Sequence, residues 1–401
     1  MWSASRANAA ESQGGLAIEL EEPLVHAVAG VALVYALRCA SFAATWVDVP
    51  LLPAPPREPL PRLSIVVPAR DEERSIERCV RSLLVQEWLD FELIVVDDRS
   101  SDATPAILAR IAAEDGRLRV VRGEPMPAGW VGKPWALVQG ARVATGAWLL
   151  FTDADSAHES RGAASALWFA RRAGADALSI ATRQELETFW ERAVLPSILG
   201  LILFASGPLG DVNDPQKPKK AIANGQYILV SRAAYDALGG HTALRGEIVE
   251  DVAFARRLKA DGRFRYILAG GDRIASVRMY RSLREIWSGF TKNVFMAAEG
   301  NVAALAGGAA LMTSLSVLPP ALAIACASRR RYALAGEAVA STIAIVATSS
   351  WGMRRAAFPA RLALLQPLGT FVFGAIIVNS TVRVLSGRGV EWRGRSYFRH
   401  D

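Results

Sequence analysis

Residues 147–156 read AWLLFTDADS, an apolar run from Ala147 to Phe151 that stops on Thr152 and the acid pair Asp153 and Asp155. An unbroken apolar run of this length predicts a strand covered on both faces, because successive strand residues point to opposite sides. Two carboxylates at the exit of such a strand need a positive partner. A Mg2+ or Mn2+ ion meets that need, since such hard cations are held by one or two protein carboxylates together with substrate phosphates. The competing reading is a solvated turn or a helix N-cap. Neighbouring segments bear on the choice.

Upstream, Leu63–Val67 (LSIVV) runs into Pro68, Ala69, Arg70, Asp71, Glu72 and Glu73, and then Ile76, Val80, Leu83 and Leu84 recur at helical spacing. The pattern repeats where Leu93–Val96 leads into Asp97, Asp98, Arg99, Ser100, Ser101 and Asp102. A helix over Ala103–Ala113 follows, capped by Ser101 or Asp102. A third strand, Leu118–Val121, and a helix over Pro134–Val143 lead back to the AWLLF strand. Strands alternating with helices predict an α/β fold with a mainly parallel sheet, whose ligands sit at the carboxyl ends of the strands. Asp71, Asp98, Asp153 and Asp155 all fall at such ends. Four converging carboxylates repel one another unless a cation or hydrogen-bond donors offset them. A nucleotide supplies both: base and ribose donors for Asp71 and Asp98, and a diphosphate sharing a cation with Asp155 and Asp153. Lys133, in the glycine-flanked loop Gly129–Trp135, reads either as a point charge for a phosphate or as an ordinary surface lysine.

With PARDEE at 68–73, IVVDDRSSD at 94–102, GWVGKPWA at 129–136, TDAD at 152–155, ANGQY at 223–227 and the run from Gly239-Gly240-His241 to Val249-Glu250-Asp251, residues 61–300 resemble family 2 glycosyltransferases of the GT-A fold. The resemblance implies a Rossmann-like sheet and inverting transfer from a nucleoside diphosphate sugar, with a UDP-sugar as the expected donor. It implies that Pro68, Arg70, Asp71, Glu73, Asp98, Lys133, Asp153 and Gly225 surround that donor. It also implies that Asp155 and Asp153 hold the divalent cation, and that Asp251, with Glu250 beside it, is the base that deprotonates the acceptor. Read alone, Glu250 and Asp251 are equally N-terminal acids of a helix over Val252–Ala260. The chain departs from the pattern at Asp71, where many relatives carry Asn. It departs again at Arg281–Trp287 (RSLREIW), where processive synthases carry Q-x-x-R-W. The likeness is therefore to the ceramide, carotenoid and hopanoid-associated members, which implies transfer of one sugar to a lipid. A processive polysaccharide synthase and a non-catalytic nucleotide-sugar-binding scaffold are the alternatives.

Apolar residues make up 51% of the 401 residues, which points to membrane segments. After a leader over 1–23, residues 24–47 form an apolar run of spanning length carrying Arg38. The leader is acidic (Glu11, Glu19, Glu21, Glu22) and the run begins late, which favours an uncleaved anchor over a signal peptide. Arg57, Arg62 and Arg70 beyond the anchor place the catalytic domain on the cytoplasmic side of the inner (plasma) membrane of a multi-pass protein. Residues 302–385 hold about three further segments: Val302–Ala327, Tyr332–Ser350 and Leu362–Leu385. Three crossings carry Arg329–Arg331 and the basic tail, 386–401, outside, against the charge rule. A first segment re-entrant at Pro319-Pro320 keeps both inside. Two stretches, 193–210 and 281–296, are expected at the interface without crossing, the first as a surface helix or acceptor gate, with packing against the sheet as the alternative for each; spanning by the first would separate Asp155 from Asp251. Lys217, Lys219 and Lys220 lie in a proline-broken loop suited to anionic headgroups or to capping the nucleotide.

The net charge of +7 is read as membrane affinity, for no nucleic-acid motif is present and no nucleic-acid partner is expected. Cys39, Cys79 and Cys326 are scattered and suggest neither a disulfide framework nor a zinc site. His241, after two glycines, reads as a turn residue or as part of the acceptor side.

Overall fold

The computed structural model describes residues 4–247, 249–297, 301–386, 390–392 and 395–397. A long helix, α1 (Ala4–Ala44), precedes the α/β domain. The LSIVV run becomes β1 (Leu63–Ala69), followed by α2 (Ile76–Leu84), which buries Ile76, Cys79, Val80 and Leu83 at the spacing of one helix face. β2 (Phe91–Asp97), α3 (Thr104–Glu114), β3 (Leu118–Arg122), α4 (Gly132–Val143) and β4 (Trp148–Thr152) continue the alternation. These four strands pair in parallel in the order β3-β2-β1-β4.

The continuous apolar runs are explained by two cores. Ile65 and Val67 face one cluster with Val80, Leu83, Leu108 and Ile111, while Val66 between them faces another with Ala136, Leu137, Phe254 and Leu258. A strand buried on both sides has no polar alternation to show.

The second half was not resolved into strands by the sequence pattern. It supplies β5 (Ser156–His158), α5 (Gly162–Arg172), β6 (Ala177–Gln184), α6 (Phe189–Ser206), α7 (Leu209–Asn213), β7 (Tyr227–Ser231), α8 (Arg232–Ala237), α9 (Glu250–Asp261) and β8 (Tyr266–Val277). The sheet reads β3-β2-β1-β4-β7-β6-β8-β5, and only β7 and β5 run against the other six. The segment after α1 joins this sheet: Val49 N–H donates to Gly270 O at 2.8 Å, and Gly270 N–H to Val47 O at 2.7 Å.

Beyond the sheet lie α10 (Leu283–Ala297), α11 (Val302–Ser316), α12 (Leu318–Ser328), α13 (Tyr332–Arg355) and α14 (Gln366–Leu385), then short strands β9 (Val390–Trp392) and β10 (Arg395–Tyr397). Among the described residues, Glu22–Phe42, Tyr332–Arg355 and Ala360–Arg383 are each long and apolar enough to cross a membrane. The α11–α12 pair passes the same test jointly, bent by 47° at its break, just ahead of Pro319-Pro320. Most of the basic tail and residues 298–300 of the expected catalytic domain lie outside the described residues.

The apolar stretch 193–210 is not one helix. Gly207, at φ +85°, separates α6 from α7, and Arg38 of α1 lies beside it. α6 and α10 do not pack on the sheet as ordinary surface helices do. Val194, Ile198, Ile286 and Phe290 share a cluster with Leu305, Met312, Phe373 and Ile376 of the C-terminal helices. Arg278, just after β8, pairs with the fully buried Glu191 of α6 at 2.9 Å and so ties this layer to the sheet.

Candidate active site

β1, β2 and β4 end at the same edge of the sheet, and the turns that leave them carry the predicted acids. Asp71 follows β1 at φ 52°, a left-handed conformation that Asp tolerates better than most residues. Its Oδ1 accepts from Ser101 N–H at 2.7 Å and from Ser101 Oγ at 3.1 Å, and its own N–H donates to Ser100 Oγ at 3.0 Å. Glu73 N–H donates to Asp102 Oδ2 at 3.0 Å, while Glu73 Oε2 accepts from Ala103 N–H at 3.1 Å. Much of the hydrogen-bonding capacity of Asp71 and Glu73 therefore binds the β1 turn to the β2 turn. Asp102 Oδ1 accepts from Thr104 N–H at 2.9 Å, but the residue at the cap of α3 is Ala103, one position beyond the later of the two expected caps. Asp98 is buried, and Arg70 Nη1 donates to its backbone carbonyl at 2.9 Å. Pro68 lies within β1, opposite Val96 of β2.

Lys133 sits in the first turn of α4, not in the loop the sequence suggested. The helix begins at Gly132 because proline at its third position is tolerated there, where the missing N–H has no helical partner to lose. Lys133 Nζ donates to Asp153 Oδ1 at 2.8 Å, to Glu250 Oε1 at 2.9 Å and to Gly225 O at 3.3 Å. Glu250 and Asp251 both lie in the first turn of α9, which starts two residues earlier than the apolar pattern implied. Asp251 Oδ2 accepts from Gly225 N–H at 2.7 Å and its Oδ1 from Val252 N–H at 2.8 Å. A side chain at Gly225 would crowd this cluster: a Cβ would stand 2.9 Å from Lys133 Nζ and 3.0 Å from Asp251 Oδ2.

This puts one ammonium among three carboxylates. Burial alone would lower the pKa of Lys133, but Asp153, Glu250 and Asp251 together hold it well above the ordinary lysine value. Burial raises Glu250, yet the adjoining Lys133 ammonium brings it below the usual range. Asp251 is pushed up to about 6 by burial and by the neighbouring Glu250 charge, against the opposing pull of Lys133 and two backbone N–H groups. A carboxyl group titrating there accepts a proton far more readily than an ordinary aspartate.

Asp155, half-buried, lies two residues beyond Asp153, whose carbonyl accepts from the Cys79 thiol at 3.6 Å. Among the described residues no group of three or more His, Cys, Asp or Glu side chains comes together as a metal cage. The donor set at this edge suits a cation completed by ligands from outside the protein.

Sequence reasoning overlooked a polar shelf beside Gly225. Asn224 Nδ2 donates to Ile180 O at 2.9 Å and to Thr182 Oγ1 at 3.2 Å, and Thr182 Oγ1 donates to Gln226 Oε1 at 2.5 Å. Asn224 and Gln226 fall within the ANGQY motif in the turn before β7, but Ile180 and Thr182 lie on β6 about forty positions earlier, so no local pattern could join them. His241 lies in the short 3-10 helix Gly240–Leu244 after left-handed Gly239, in keeping with its reading as a turn residue. It is buried edge-on to Phe151 and stacked on Phe254, accepting or donating at Nδ1 with Tyr235 OH at 3.0 Å, and burial pushes its pKa down to about 4.

A mostly parallel sheet with acidic strand exits, a D-x-D and an acid pair at a helix N-terminus has the layout of the GT-A fold. Residues 64–239 match the family described as Glycosyl transferase family 2. It is similar to the 4,4'-diaponeurosporenoate glycosyltransferase of Staphylococcus aureus strain USA300, with 25% identity over 84% of this chain and 88% of the relative. The enzyme of the same description from strain bovine RF122 is 24% identical over 84% of this chain and 88% of its own length. In fold the chain is similar to mannosyltransferase PcManGT from Pyrobaculum calidifontis, whose structure was solved in complex with GDP-Man and Mn2+. The TM-score is 0.51 at 20% identity, covering 91% of this chain and 99% of the other.

Proposed function

We propose that this chain transfers a single sugar, with inversion, from a nucleoside diphosphate sugar to a hydroxyl or carboxyl group of a lipid at the cytoplasmic face of a membrane. The observation that carries the reading is the Asp251 carboxylate, fixed by Gly225 N–H at 2.7 Å on the same edge as the D-x-D, with burial and the Glu250 charge pushing its pKa up to about 6. With a hydroxyl acceptor, Asp251 takes the proton as the acceptor oxygen bonds to the anomeric carbon and the bond to the diphosphate oxygen breaks. A carboxylate acceptor is already deprotonated and makes less use of the base. Lys133 keeps Glu250 charged and sets the affinity of Asp251 for its proton.

Asp71, Asp98 and Arg70 line the nucleotide side in this reading, and the expected donor is a UDP-sugar. Asp155, with Asp153 beside it, would hold the divalent cation. When bound, Mg2+ or Mn2+ supplies positive charge to the diphosphate of the donor. The apolar helices and the similarity to enzymes named for a carotenoid carboxylate support a lipid acceptor.

The test is transfer by purified protein in detergent, with a panel of radiolabelled nucleotide sugars, membrane lipids, and Mn2+ or EDTA, beside Asp155→Ala and Asp251→Ala. Label in the organic phase with wild type and metal alone is expected. Label in a large water-soluble product would instead make the protein a polymer synthase, and donor binding without turnover would make it a scaffold.

A further inference from the structure

We propose that a cavity between α1, α6, α13 and the start of α14 holds the apolar chain of the acceptor, an inference that rests on the lipid-acceptor reading above. The cavity opens to the outside, and Tyr35, Phe42, Trp46, Leu199, Met353 and Gln366 contribute to its lining.

Four observations support the assignment. First, α1, α13 and the α14 segment are long and apolar enough to cross a membrane, so a lipid chain can enter from the side. Second, Phe42 lines the cavity and also packs in one cluster with Phe254 and Ala255 of α9, whose first turn carries Asp251. The cavity thus borders the core into which the helix of the proposed base packs. Third, none of the crevice carboxylates lines it. It accepts a part of the ligand remote from the reacting atom, where binding energy can position the reacting end. Fourth, Gln366, 4% exposed, ties the start of α14 to α1 at the cavity wall, its Nε2 donating to Tyr35 OH at 3.2 Å. With a lining that is mainly apolar, the occupant is a long apolar chain.

Gly200 and Gly352 also line the cavity, and a Cβ at either meets nothing within 4 Å. Gly200→Phe and Gly352→Phe fill the space without a backbone clash. The assay uses the full chain in detergent with a long-chain polyene alcohol, a long-chain polyene carboxylic acid and truncated analogues of each. In both variants KM for the long acceptors should rise about tenfold or more. KM for truncated acceptors, donor KM, donor hydrolysis and the melting temperature should stay at wild-type values. Unchanged KM for the long acceptors, or equal losses for long and truncated ones, would overturn the assignment. So would phospholipid that co-purifies in the cavity and that neither long acceptor displaces. Failure of wild type to glycosylate any lipid is read before the variants; it rejects the proposed function and, with it, this use of the cavity.

Discussion

At the scale of single residues, the chemistry turns on how Lys133 divides its charge. Asp251 titrates at about 6, so its basic form is lost as pH falls through that value and is present above it. With a hydroxyl acceptor, kcat/KM should fall on the acid side with an apparent pKa near 6. Asp251→Asn should abolish that limb and lower kcat/KM by about a thousandfold, a loss that a pH–rate profile of both proteins measures. With a carboxylate acceptor the Asp251→Asn loss should be much smaller. Replacing Lys133 with Met removes the cation that depresses Asp251. Its pKa then rises and the acid limb moves to higher pH; a limb that stays in place would mean that Lys133 does not set the proton affinity of Asp251. Gly225→Ala places a methyl group against Lys133 Nζ and Asp251 Oδ2. The flexible lysine end gives way, so the fold should survive while kcat/KM drops about tenfold or more, as circular dichroism and kinetics together would report.

At the scale of elements, the turns after β1 and β2 show how a legible motif acquires an unforeseen duty. PARDEE and DDRSSD were readable as acidic strand exits, but the sequence did not reveal that Asp71 and Glu73 lash one turn to the other, since those partners lie about thirty positions apart. α6 and α10 teach a related lesson. Their apolar stretches predicted helices, but neither stretch could show that the partner surface is α11 and α14, not the sheet. The hinge of this arrangement is Arg278 with Glu191. Arg278→Ala leaves a carboxylate buried without its cation and should destabilise the protein by about 3 kcal/mol, read as a lower melting temperature in detergent. No change would mean that Glu191 is adequately held by Thr188 and Glu187 N–H alone.

At the scale of the whole molecule, the C-terminal helices complete the catalytic domain by covering Val194, Ile198 and Phe290. A chain ending at residue 297 should expose that apolar surface and aggregate without detergent, which size-exclusion chromatography would show. A monodisperse truncated domain would mean that α6 and α10 are stable uncovered.

The sequence by itself determined the α/β class, the acidic strand exits and the apolar helices, because each is written in contiguous residues whose periodicity or charge survives without context. The antiparallel β7, the ion cluster of Lys133 with Asp153 and Glu250, the shelf at Asn224 and the cavity above Gln366 were decided only by tertiary structure. Each depends on groups brought together across long stretches of chain, and proton affinity and packing are set by what lies adjacent in space.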